Sequence, residues 1–200
     1  MMTLRAAAAL LPMAVAASTV SAAPLNLTLG RPDITAGLLS SNYNATTDTL
    51  TVTGPALVID LDGVSPPDYG ITGGTYTLIA MIDGTGHLSS GTLTITGSIA
   101  GLGASSPLLT ASLTAFGFSS APVTQVFEFT AATTGGSLQS YFGGQVGTVI
   151  GLGGGFNGSF ASNFAGTAFG SADTARIPAP GVGALAAAAG LAATRRRRRA

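Results

Sequence analysis

Between residues 49 and 160 apolar and polar residues alternate in short runs, and glycine, proline, asparagine and aspartate punctuate them. Period-two runs rich in Thr, Val, Ile, Leu and Phe, with no sustained 3.6-residue period, predict β-strands. Candidate strands are Thr49 to Thr53, Ala56 to Leu61, Thr75 to Ile82, Thr92 to Ile99, Leu108 to Phe116, Thr124 to Thr130, Val146 to Ile150 and Phe156 to Phe160. About eight short strands imply an all-β fold, an antiparallel sandwich or barrel. The central pair is clearest. Tyr76, Leu78, Ala80 and Ile82 share one face with Leu93, Ile95 and Ile99, and Thr75, Thr77, Thr92, Thr94 and Thr96 take the other. The connection from Gly84 to Ser90 makes this pair a hairpin, and one or two helical turns are expected near Ser137 to Phe142, with Ser137 as cap. From Gly135 to Gly170 glycines interleave with Phe142, Phe156, Phe160, Phe164 and Phe169, a texture of tight turns with aromatic plugs or of partial disorder.

Both ends of the chain break this pattern. Met1 to Arg5 carries one positive charge, Ala6 to Val20 is apolar apart from Ser18 and Thr19, and small residues follow, which reads as a secretory signal peptide. Val20-Ser21-Ala22 fits the small-residue cleavage pattern. Cutting after Ala23 would put Pro24 next to the scissile bond, so the cut is expected between Ala22 and Ala23, leaving a β-rich domain over 23–170 and a polar spacer over 171–176.

The last 24 residues have three parts: Ile177-Pro178-Ala179-Pro180-Gly181, an apolar run over 182–194, and Arg195, Arg196, Arg197, Arg198 and Arg199. As a helix the run, counted from Gly181 to Thr194, reaches only about 21 Å at ~1.5 Å per residue, short of a bilayer core of ~30 Å. Alanine and glycine dominate it, so it makes a weak transmembrane helix. Five arginines behind a weak span act as a stop on the cytoplasmic side and suit temporary retention at the inner membrane. This tail is similar to the PEP-CTERM sorting signals of exported bacterial proteins, in which a proline motif, a short hydrophobic helix and an arginine cluster follow in this order. Alanine at 179 stands where that family has glutamate. The resemblance implies recognition of Pro178, Ala179 and Pro180 by an exosortase-like processing enzyme, after a signal peptidase has acted at the other end. The Gly70 to Gly97 stretch also resembles hairpins in uncharacterised exported proteins with such tails.

Composition changes the picture once these segments are set aside. The formal net charge is zero, yet six of the eight arginines are Arg5 and Arg195 to Arg199, and lysine is absent. Between Ala23 and Ile177, Arg31 and Arg176 face seven aspartates and Glu128, a formal charge of −6. An acidic body disfavours nucleic acid and anionic membrane surfaces as partners. Without cysteine there is no disulfide and no thiolate metal site.

Candidate chemistry is sparse. His87, the single histidine, lies in the predicted hairpin loop with no serine or second metal ligand tied to it. Asp60, Asp62 and Asp68 cluster oxygens of the kind calcium takes, without the terminal glutamate of the EF-hand pattern. Equally, Gly63 and Pro66-Pro67 complete an ordinary turn there. Gly151-Leu152-Gly153-Gly154-Gly155 has no following Lys-Ser/Thr and reads as a turn. The threonine ladders Thr49 to Thr53 and Thr92 to Thr96 resemble ice-binding rows, but their spacing along the chain is irregular and threonine suits an exposed strand face. The expectation is therefore no enzyme and no catalytic residue, no cofactor unless calcium, and a structural role at the cell surface or in the extracellular matrix. The alternative is a carbohydrate- or polymer-binding module that meets extracellular polysaccharide through Tyr43 or Tyr69.

Overall fold

The computed structural model describes residues 22–64, 66, 69–121 and 124–178. Eleven strands form one sheet: β1 (Asp33–Asn44), β2 (Thr49–Gly54), β3 (Ala56–Asp60), β4 (Tyr69–Gly70), β5 (Thr72–Ile82), β6 (Leu88–Ile99), β7 (Ala104–Ser105), β8 (Leu109–Ala121), β9 (Thr124–Gly135), β10 (Gln145–Gly151) and β11 (Phe164–Arg176). Every pairing is antiparallel, in the order β11-β10-β9-β8-β6-β5-β2-β1-β3-β4, and β11 also pairs with β1. That last pairing closes an eight-stranded barrel of β1, β2, β5, β6, β8, β9, β10 and β11. β3 continues the line of β2 past Pro55 and stays against β1, β4 pairs with β3, and β7 adds a short pairing to β6. Among the described residues no helix is long and apolar enough to cross a membrane.

The fold resolves the sandwich-or-barrel alternative in favour of the barrel and corrects the expected lengths. Its strands are not short: β1, β6 and β9 have 12 residues, and β8 and β11 have 13. Neither β1 nor β11 is among the sequence-based strands, while Phe156 to Phe160 is a loop. Residues 171–176, read as a spacer, are the end of β11 and form part of the closure seam, with Asp33 opposite Ala175 and Thr35 opposite Asp173. The helix spans only Gln139–Phe142; Ser137 does not cap it, and its hydroxyl donates to the Ser105 carbonyl.

Inward positions are filled. Leu50, Tyr76, Leu78, Ile82, Leu93, Ile95, Phe127 and Phe129 are fully buried, as the period-two pattern requires. A buried polar chain sits among them: the Tyr76 hydroxyl lies 3.0 Å from Thr148 Oγ1, and the Thr174 hydroxyl donates to the same oxygen at 3.0 Å. Burial, partly offset by these hydrogen bonds, pushes the Tyr76 pKa far above its ordinary value. At one mouth the β10–β11 loop drives Phe156 and Phe160 into a cluster with Tyr43, Phe116, Phe118, Phe127 and Phe164; Phe160 meets Tyr43 edge-on at 5.0 Å. The other mouth is covered by Leu108, Leu138 and Phe142, all fully buried.

Candidate functional site

Among the described residues the richest cluster of charges is at the rim where β1, β3 and β11 meet. Asp33 and Asp60 are direct partners across β1 and β3. Arg31 joins them, with Nη1 at 2.7 Å from Asp33 Oδ2 and Nε at 3.2 Å from Asp60 Oδ2. Asp173 on β11 accepts from the Thr35 hydroxyl at 3.2 Å. Asp33 Oδ1 is buried and has no hydrogen-bond partner among the described residues. Burial above all, with repulsion from Asp173, raises the Asp33 pKa to about 6 against the pull of Arg31. Two carboxylates sharing one guanidinium form a clasp between strands.

Asp60 and Asp62, proposed as calcium ligands, are engaged by their own backbone. Asp60 Oδ1 accepts from the N–H groups of Asp62 (3.2 Å) and Gly63 (2.7 Å), and Asp62 Oδ1 from that of Val64 (2.8 Å). This is the bonding of an ordinary aspartate turn. Asp68 lies outside the described residues, and among those described no three His, Asp or Glu side chains converge as a metal set. Ala179, Pro180 and Arg195 to Arg199 also lie outside them, as does everything before Ala22.

His87 is exposed at the rim of the plugged mouth, in an open cleft of about 650 Å³ lined by Asp83, Thr85, Leu88, Thr114, Phe116 and Ala22 among others. Asp83 Oδ1 organises the loop. It accepts from the Thr85 hydroxyl (2.6 Å) and from the N–H groups of Thr85 and His87 (2.9 and 3.0 Å), which hold its pKa below the usual carboxylate range. The His87 and Asp83 contact is thus through the main chain, which shapes a turn and orients no general base. Comparison with known proteins finds no matching family model, no matching curated protein and no matching solved structure.

Two surfaces stand out. Outside the barrel, Ser40, Thr53, Thr77, Thr94 and Thr110 are consecutive cross-strand partners, and a second row runs Asn42, Thr51, Ile79, Thr92, Ser112. Thr75 and Thr96 hydrogen-bond to each other, and the Thr114 and Thr130 hydroxyls lie 2.8 Å apart. The ladders that look irregular along the chain are brought into register by pairing. The rows nonetheless wrap around a closed barrel, so they present a convex belt and not the flat rank a crystal lattice would need. Nor is this the apolar band with which membrane-spanning barrels meet lipid.

The second surface is covered by the chain itself. Residues 22–30 run along the outside of β8, β9 and β10, and Glu128, only 9% exposed, accepts from the N–H groups of Asn26 (2.9 Å) and Leu27 (3.1 Å). Neither Glu128 nor this arm is a sequence-based candidate; the available signal was the alternation Leu25-Asn26-Leu27-Thr28-Leu29. The tyrosines considered for sugar stacking divide: Tyr43 is 1% exposed, donating to the Ile82 carbonyl at 2.8 Å, and is unavailable for stacking. Burial, with the nearby Asp48 charge, pushes the Tyr43 pKa up to about 12. Tyr69 is half-buried and packs against the core.

Proposed function

We propose that the chain is an exported, non-catalytic structural protein of the cell surface or extracellular matrix, held briefly at the inner membrane and released through its C-terminal signal. The observation that carries this reading is the order of proline motif, short weak span and five arginines behind a signal-peptide-like start. The fold is compatible with it in one specific way. β11 ends at Arg176, so a cut near Pro178, Ala179 and Pro180 spares every ladder pairing of the barrel. The filled interior and the uncharged hydroxyl belt fit a module that presents outer surface and performs no reaction.

Intact-mass measurement of the protein recovered outside the cell tests the proposal. A C-terminus close to Ile177 is expected. Secreted material still carrying Arg195 to Arg199, or full-length chain confined to the membrane fraction, refutes processing at this motif.

A further inference from the structure

The arm over β8, β9 and β10 occupies a surface shaped to receive it. Gly117 and Glu128 are ladder partners on the outer face, as are Gly147 and Ala175 one row on. A Cβ on Gly117 would lie 2.3 Å from the Ala23 carbonyl and 2.8 Å from Leu25 N. On Gly147 it would lie 2.9 Å from Leu29 Cδ2 and 3.2 Å from Leu27 Cδ1. The floor is thus cut to backbone and leucine, and Ala175, which points away from the interior, is fully buried. Leu25, Leu27 and Leu29 are half-buried and alternate with exposed Asn26 and Thr28. Asn26 has φ +54, a left-handed conformation that asparagine tolerates, and the kink turns two successive N–H groups toward one carboxylate. Meanwhile the barrel closes through β1 and β11 without using any hydrogen bond of the arm. At its far end the arm is attached through Gly30, whose N–H donates to the Arg176 carbonyl at 2.9 Å.

We propose that this glycine-floored groove centred on Glu128 is a peptide-binding site for an extended chain with leucines at alternate positions, filled in cis by residues 23–29 and able to take the same residues of a second copy in trans. The seat is complementary to this sequence, and the arm can leave without breaking the barrel, the two conditions for exchange between copies. A short tether holds its ligand at an effective concentration of ~mM, so an isolated molecule keeps its own arm, and exchange belongs to densely packed copies. Occupancy of the groove does not depend on whether the chain is exported.

Two full-length variants separate the halves of the interaction. Leu25→Asp with Leu27→Asp spoils the arm and leaves the groove open; Gly117→Val with Glu128→Ala spoils the groove and leaves the arm free. Each alone should be monomeric by native mass spectrometry, and their mixture at roughly 0.1 mM, below the cis effective concentration, should give a 1:1 dimer that excess synthetic peptide 23–30 dissolves. A monomeric mixture, with both variants melting cooperatively, overturns the proposal. Should either variant fail to fold, hydrogen exchange on the unaltered protein decides. Asn26 and Leu27 amides exchanging at least tenfold faster than ladder amides of β9 support a detachable arm, and exchange only with the ladder overturns it.

Discussion

At Asp33 one carboxylate oxygen is held by Arg31 while the other is buried with no partner among the described residues, and the aspartates on the neighbouring strands lie on the same outer rim. Burial, then Asp173, raises its pKa from 3.8 to about 6, with Arg31 pulling the other way and Asp60 adding to the rise. The folded chain therefore holds a proton that the unfolded chain has released over this interval. The stability linked to Asp33 is full below about pH 4 and is lost as pH rises through about 6. Discounted for solvent screening at a partly wetted site, the change is on the order of 1 kcal/mol. The stability of the unaltered protein relative to Asp33→Asn should fall by that much between pH 4 and pH 7 in urea denaturation. A gap that stays constant across this range rejects the assignment.

Among the elements, the β10–β11 loop is tied to the core through its aromatics: Phe160 alone touches Tyr43, Phe116, Phe118, Phe127, Phe156 and Phe164. Removing a buried phenylalanine typically costs about 3–5 kcal/mol through lost transfer and a residual cavity. Phe160→Ala should destabilise by that amount, whereas Tyr141→Ala, on an exposed side chain, should stay within about 0.5 kcal/mol; equal melting temperatures for the two would show that the loop does not plug the barrel. Legibility followed element type. The alternating centres of β5 and β6, Tyr76 to Ile82 and Leu93 to Ile99, were readable, although the strands begin earlier, at Thr72 and Leu88, than the alternation shows; the aromatic plug was legible only as one of two alternatives, and its segment Phe156 to Phe160 is a loop and not the expected strand. β1 was hidden because its register shifts between Ala36, Leu39 and Ser41, with Leu38 at φ +52, break the period-two pattern. β11 was hidden by Gly166, Gly170, Ser171 and Asp173, residues of low strand propensity that pairing on both sides overrides. The clasp of Arg31, Asp33, Asp60 and Asp173 was illegible for the same reason: it exists only once β1, β3 and β11 lie side by side.

For the whole molecule the consequence of closure is that no boundary can be drawn at residue 170. β11 pairs with β10 along Ser171 to Arg176 and with β1 along Phe164 to Ala175, so removing 171–178 opens two seams at once. A chain ending at Gly170 should show no cooperative thermal transition, and one ending at Pro178 should melt as a single unit; circular dichroism distinguishes them. The seam also sets how the molecule answers to tension. Asp33, where β1 begins, and Ala175, near the end of β11, face each other at the same rim. A pull applied between these two points loads the ladder one pair at a time, from Asp33 and Ala175 inward, as a zip opens, and never loads all its hydrogen bonds in parallel as shear would. Tension entering through the N-terminal arm meets the Glu128 contacts and the leucine seat first, so the arm yields before the ring does. Pulled between its two ends, this protein would pay out chain stepwise at low force.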